Sequence, residues 1–378
     1  MKEIRAAIIG VGNCASALVQ GRFYYADPDA AVPGLITRDF GGYRPQHIRF
    51  VAAFDVDERK VGLDLSQAIF SPPNRTTVFQ REIPHLDCPV RMGYIIDSIA
   101  PHNEEYPEQE RFKPLANVYA TDEEAKEAVV HVLREARVDV VINYLPVGSE
   151  KNVVFYADCA IEAGCALVNA MPVFLSQFYG ERFREAGLPI LGDDIKSQVG
   201  ATIIHRVLTR LFEDRGQPVK QTYQLNVGGN TDFLNMLDRN RLTSKRISKT
   251  QAVTSQMDGD GIDPRNIYVG PSDYIPWLND RKLCFLRIEA EQFGGVPMYL
   301  DLRLSVEDSP NSAGVVMEAL RAAKVALDRG LAGPIAEASA YLFKSPVKQY
   351  EDSIARQMLR RFALGIEETQ LATTGRRG

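Results

Sequence analysis

The chain has 378 residues, 45% of them hydrophobic and 25% charged, with a formal net charge of -5. That length suits two domains, or one with a large insertion, and the balance is that of a globular enzyme. The acidic balance speaks against nucleic-acid binding as the whole-chain role, and no apolar run approaches bilayer length.

Residues 1–10, MKEIRAAIIG, run straight into a strand-like stretch without the longer apolar core and small-residue cleavage site of a signal peptide. Five cysteines (Cys14, Cys88, Cys159, Cys165 and Cys284) are scattered and form no CxxC pair. They read as reduced thiols and point to a cytoplasmic protein. His85 and Cys88 stand three apart, but nothing downstream completes a zinc site.

The apolar run at 4–9 meets Gly10-Val11-Gly12-Asn13-Cys14-Ala15, and a helix is expected to follow. Strand, GxGxxA turn and helix make a dinucleotide fingerprint. The first glycine permits the tight turn, the second lets backbone approach a pyrophosphate, and alanine allows close helix–strand packing. The acidic residue expected about twenty positions on is missing. Residues 24–47 are instead rich in turn signals, so we read a surface insertion that pushes the second strand down to Asp55. Asp55 then takes the ribose-binding place and favours NAD over NADP. The alternative is that Asp55, or Asp57, caps the following helix.

Residues 71–118 are turn-rich, and 93–99 could be a strand. A surface helix is expected over 122–136, a buried strand over 138–143, and a helix over 150–163 ending at Gly164. Open α/β sheets place ligands at strand carboxyl ends, which puts Asn143 and Pro146 on the cofactor side. Further strands at CALVNA and LPILG complete a doubly wound parallel sheet to about residue 195. Next, small and polar residues 192–202 lead into TIIHRVLTRLFED, a helix start suited to an anion. Here Asp194 and Lys196 are assigned to the cofactor. Equally, Asp193 and Asp194 could form a turn with Lys196 as a surface partner. His205 reads as a packed residue.

From 221 the pattern becomes β-rich with apolar–polar alternation, as in a largely antiparallel sheet. Within it, residues 239–251 carry Arg239, Arg241, Lys245, Arg246 and Lys249 with no carboxylate between them. Lys245 and Lys249 would share one face of a helix. Such neighbours depress each other's pKa and grip phosphate, although a solvated face would look the same. A helix is expected over 311–329, N-capped by Asn311 or Ser312, and another over 335–343. The expected division is a Rossmann-type NAD-binding domain at 1–200, an inserted α+β catalytic and oligomerisation domain at 201–310, and C-terminal helices at 311–378 returning to the first.

Seven segments together resemble one family: GVGNCAS (10–16), GDDIKSQVGAT (192–202), NVGGNTDFLNM (226–236), SKRISKTQAV (244–253), WLNDRK (277–282), EDSPNSAG (307–314) and YLFKSP (341–346). They look like myo-inositol-1-phosphate synthases of the shorter bacterial and archaeal type, in order and over nearly the whole chain. The resemblance implies conversion of glucose 6-phosphate to 1L-myo-inositol 1-phosphate, the first step of inositol biosynthesis. Retained NAD would oxidise C5, C6 would enolise and attack the C1 aldehyde, and the ketone would then be reduced back. It implies Lys245 as proton shuttle at C5, Lys344 at enolisation and aldol closure, and Lys249 and Lys282 as charge stabilisers that help hold substrate. Asp280 and Asp308 would orient lysines or face the nicotinamide, with Asn230 and Asp232 on the substrate side. Ser197 and Gln198 lie where the family grips phosphate, although KSQVGAT departs from the eukaryotic KSGQT. A homotetramer joined through the inserted sheet is also implied, and a divalent or monovalent cation is left open. Taken alone, Lys282 beside Arg281 could be a surface pair, and Lys344 could cap a helix. The rival classes are an NAD-dependent dehydrogenase that releases NADH and an NAD-sensing regulatory protein.

Overall fold

The computed structural model describes residues 2–238, 255 and 262–366. Strands β1 (Ile4–Ile9), β2 (Ile48–Asp55), β3 (Val90–Met92), β4 (Val140–Asn143), β5 (Ala166–Asn169), β6 (Pro189–Leu191), β7 (Val219–Gly228), β8 (Ile267–Tyr274), β9 (Arg281–Gln292), β10 (Val296–Glu307) and β11 (Gly333–Pro334) sort into two sheets. The first is parallel throughout, in the order β11-β6-β5-β4-β1-β2-β3. Strands β4 and β5 are buried at every position and β1 at all but Arg5, because helices cover both faces. On one face, helices Asn13–Tyr24 and Asp308–Asp328 pack through Leu18, Val19, Val316, Leu320 and Ala323. On the other, helices Asp122–Glu135 and Glu150–Ala163 pack through Val129, Leu133, Val153 and Ala160. The strand order reverses between β1 and β4, and the crevice of such a sheet opens there.

The second sheet runs β10-β9-β7-β8, antiparallel except for the parallel β7–β8 pair. Cys284, Leu286, Ile288 and Ala290 of β9 face the helix Ala201–Asp214, whose Phe212 is buried against them. His205 of that helix is packed, as expected. Its ring nitrogens meet Thr222 Oγ1 at 2.8 Å and Gln224 Oε1 at 3.3 Å, and burial pulls its pKa down to about 4. The opposite face of the sheet exposes Tyr223, Tyr268, Phe285 and Tyr299. No helix among the described residues is long and apolar enough to cross a membrane.

Two local expectations change. Residues 93–99 do not form a strand; β3 ends at Met92. The amides of Ile96 and Asp97 instead donate to the Asn152 side chain, and Tyr94 N donates to the Tyr156 hydroxyl. The helix expected at 311–329 begins at Asp308, with Glu307 in the capping position. Pro310 is tolerated in a first turn because its missing amide would have no partner there. The cap comes from elsewhere in the chain: the Asp280 carboxylate accepts from Ser309 N at 3.2 Å. Asn311 is drawn sideways, bonding both Val199 N (3.0 Å) and Val199 O (2.7 Å).

Candidate active site

A cleft opens at the carboxyl ends of the first sheet and extends to the second. Its wall begins at the glycine turn. Gly10 has φ +92°, and a Cβ there would lie 2.9 Å from Tyr144 O, so only glycine makes the turn. A Cβ on Gly12 would meet nothing within 4 Å, which leaves room for a ligand against the backbone. Gly12 starts the helix Asn13–Tyr24 without any side-chain cap, so its first amides are open to an anion. Asn13 braces the turn, its Oδ1 accepting from Arg75 N at 2.6 Å. Ala15 is packed in the core. The Cys14 thiol lies 3.7 Å from Ser312 Oγ, and burial plus the charge of Asp280 push it up to about 12. Cys14 is therefore a neutral wall residue at physiological pH.

Asp55 ends β2 on the cleft wall. Its Oδ1 accepts from Val56 N (2.7 Å) and Asp57 N (2.9 Å), and its Oδ2 from Val11 N (2.7 Å). A carboxylate has about four acceptor sites, so one remains for a ribose hydroxyl. No helix follows directly; the next, Leu65–Ala68, is capped by Asp64. Asp57 is consumed by Arg59, 2.6 Å from Oδ2. Sequence reading missed Lys60, which lies fully buried beneath this turn. Nothing in its local sequence distinguishes it from a surface lysine.

The far wall is built by long-range pairing. Lys196 N donates to Leu342 O (2.9 Å), Lys344 N to Asp194 O (2.8 Å) and Ser345 N to Asp193 O (3.0 Å). This ladder sets the Lys344 ammonium 2.7 Å from Asp194 Oδ1. Lys344 is thus not a helix cap. Asp194, at φ +59°, occupies a left-handed conformation that aspartate tolerates better than most residues. Asp193 is buried among Asn169 and Ser176, and burial pushes its carboxyl up to about 8. Lys196 is no surface partner. It is buried, donates to Ala340 O at 3.1 Å, and stands 3.6 Å from Asp352 Oδ1. Burial and then the Arg206 charge pull its pKa down to about 7.

Across the cleft, Lys282 reaches Asp308 Oδ1 at 3.2 Å. Burial opposes its charge, but Asp308 overcomes that and raises its pKa. Arg281 turns instead toward Glu307. Asp280 lies behind this pair, fully buried, accepting from Ser309 Oγ (2.8 Å) and Asn230 Nδ2 (3.1 Å). Burial and the Asp308 charge push it up to about 7. Asn230 also caps the helix Thr231–Asn235, accepting from Asp232 N at 3.1 Å.

The cleft thus gathers Gly10, Gly12, Asn13, Cys14, Ala15, Asp55, Pro146, Asp194, Ser197, Asn230, Asp232, Lys282, Asp308 and Lys344. Asn143, Lys196, Gln198 and Asp280 stand behind it. Asn143 bonds Asn169 Oδ1 at 2.9 Å, and Gln198 Nε2 is spent on Gly34 O at 2.7 Å. Lys245 and Lys249, with Arg239, Arg241 and Arg246, lie outside the described residues. Gly200, Ala201 and Thr202 bring a second uncapped helix start to the wall. Among the described residues no group of three or more His, Cys, Asp or Glu is arranged to hold a metal ion.

Comparison with known proteins bears on this arrangement. The chain is 53% identical over 370 residues to the inositol-3-phosphate synthase of Mycolicibacterium smegmatis, covering 96% of this chain and 98% of that one. It is 50% identical over 370 residues to the inositol-3-phosphate synthase of Corynebacterium glutamicum, with the same coverage. The chain belongs to the myo-inositol-1-phosphate synthase family. It is an enzyme, an isomerase. The family's model, described as Myo-inositol-1-phosphate synthase, matches residues 200–309. That span holds Asn230, Asp280, Lys282 and Asp308, while the glycine turn and Lys344 lie outside it. A solved myo-inositol-1-phosphate synthase-related protein from Thermotoga maritima shares the fold. Its TM-score is 0.80 at 23% identity, over 97% of this chain and 100% of that one.

Proposed function

We propose that this synthase converts D-glucose 6-phosphate to 1L-myo-inositol 1-phosphate with NAD retained through the cycle. The observation that carries the reading is the convergence of two lysine–aspartate pairs, Lys282–Asp308 and Lys344–Asp194, on a wall that begins with a dinucleotide turn. The residues present fit NAD: open space at Gly12, an uncapped helix start, and one acceptor site left on Asp55. When bound, the dinucleotide supplies reversible oxidation at C5, so the conversion shows no net redox change.

The chain's own residues supply the rest. Enolisation at C6 and closure onto C1 both place negative charge on oxygen, which cations in a water-poor cleft stabilise. Lys344 is assigned to those oxygens. Lys282, held charged by Asp308, supports them and, with Lys249, orients the sugar. Lys245 moves the proton of the C5 hydroxyl. The amides at 200–202 and Ser197 receive the phosphate, while Gln198 and Asn230 act as braces. The exposed aromatic face of the second sheet supports a homotetramer joined there.

Incubation with glucose 6-phosphate and NAD⁺, read by NMR, should yield inositol phosphate without NADH accumulation. Steady NADH without inositol phosphate would refute the reading. Lys245→Ala should abolish turnover with dinucleotide binding intact; a wild-type rate removes Lys245 from the mechanism.

A further inference from the structure

Lys60 is fully buried and does not line the cleft. Its Nζ donates to Val11 O at 2.8 Å and to Asn74 Oδ1 at 3.0 Å, and stands 3.9 Å from Asp55 Oδ2. Asn74 Nδ2 donates to the same Val11 oxygen at 3.1 Å. Val11 N donates to Asp55 Oδ2 at 2.7 Å. Both polar groups of the one peptide residue between Gly10 and Gly12 are therefore held by side chains from beneath, and Lys60 joins the two holds.

Burying an ammonium opposes folding, and a methionine would fill the same space without that cost. Burial does pull the Lys60 pKa down, opposed by the charges of Asp55 and Asp57. The position thus spends stability on a charge, and the group that charge faces on the cleft wall is Asp55.

We propose that Lys60 is a positioning residue that sets the preference for a dinucleotide whose adenosine ribose is unphosphorylated. It fixes Asp55 Oδ2 beside the glycine turn, so the remaining acceptor site points to the ribose diol. The inference rests on the cofactor reading above.

The test is calorimetric titration of the full chain with NAD⁺ and, separately, NADP⁺. Lys60→Met removes both the charge and the donor. Lys60→Gln keeps a donor and removes only the charge, and serves also if the first variant fails to fold. Losing one or two charged hydrogen bonds should weaken NAD⁺ binding about 10- to 100-fold. NADP⁺ binding should change by less than about threefold, since a 2′-phosphate makes no use of the acceptor site that Lys60 orients on Asp55. KM for glucose 6-phosphate should stay within about twofold. Equal losses for both dinucleotides in both variants overturn the preference role. A wild-type chain that binds NAD⁺ beside variants that bind it equally well overturns the inference alone. A wild-type chain that binds neither dinucleotide overturns the cofactor reading and the inference with it.

Discussion

Removing either member of the Lys344–Asp194 pair should reveal how far the far wall depends on it. The two side chains are 14% and 5% exposed, and their charged atoms lie 2.7 Å apart. At an effective dielectric of about 20, that separation corresponds to roughly 6 kcal/mol of gross attraction. Desolvation of two nearly buried ions cancels most of it, leaving a coupling of about 1.5–3 kcal/mol. Asp194→Asn is the suitable perturbation on one side, because asparagine tolerates the left-handed backbone at φ +59°. Lys344→Met is its counterpart, and should cost about 3–5 kcal/mol by stripping a buried carboxylate of this cation. Urea unfolding of the wild type, both single variants and the double variant closes a double-mutant cycle. Turnover should fall to background in all three variants, while NAD⁺ titration of Lys344→Met stays close to wild type. A coupling below about 0.5 kcal/mol would refute the claim that the pair is a desolvated ion pair and not a surface contact.

Two further perturbations address neighbouring elements. Asp193 has a folded-state pKa raised to about 8, against about 4 when unfolded. The native state therefore keeps a proton that the unfolded chain has released, and this group's contribution falls as pH rises through that window. Asp193→Asn should flatten the decline in urea midpoint between pH 5 and pH 8; an unchanged slope would show that Asp193 is ionised in the fold. A Cβ on Gly314 would lie 2.3 Å from Gly34 O and 3.0 Å from Gln198 Nε2. Gly314→Ala should push the 24–47 insertion off the loop carrying Ser197, raising KM for glucose 6-phosphate about tenfold with NAD⁺ affinity unchanged. Steady-state kinetics with an unaltered KM would disconnect that insertion from the phosphate end.

Much of the architecture was legible along the chain because its causes are local. A glycine turn is dictated by the φ of one residue, so Gly10 and Gly12 announce it wherever they follow a strand. Strands covered on both faces need uninterrupted apolar residues, and β1, β4 and β5 advertise themselves that way. A helix stop at Gly164, with φ +78°, needs only the glycine. The lysine motifs carried the family resemblance, but not which of their neighbours would be spent as braces. Asp280 finds Ser309 29 positions away, and Lys344 finds Asp194 at a separation of 150. Gln198 is consumed by a carbonyl 164 residues earlier. Lys60 looks like any solvated lysine until β2 and the glycine turn close over it. Local sequence determined which backbone shapes form, because steric limits and apolar periodicity act within a few residues. Which charged groups face the cleft and which stand behind it was decided only by packing, because desolvation and ion pairing depend on what the whole fold places within a few ångströms.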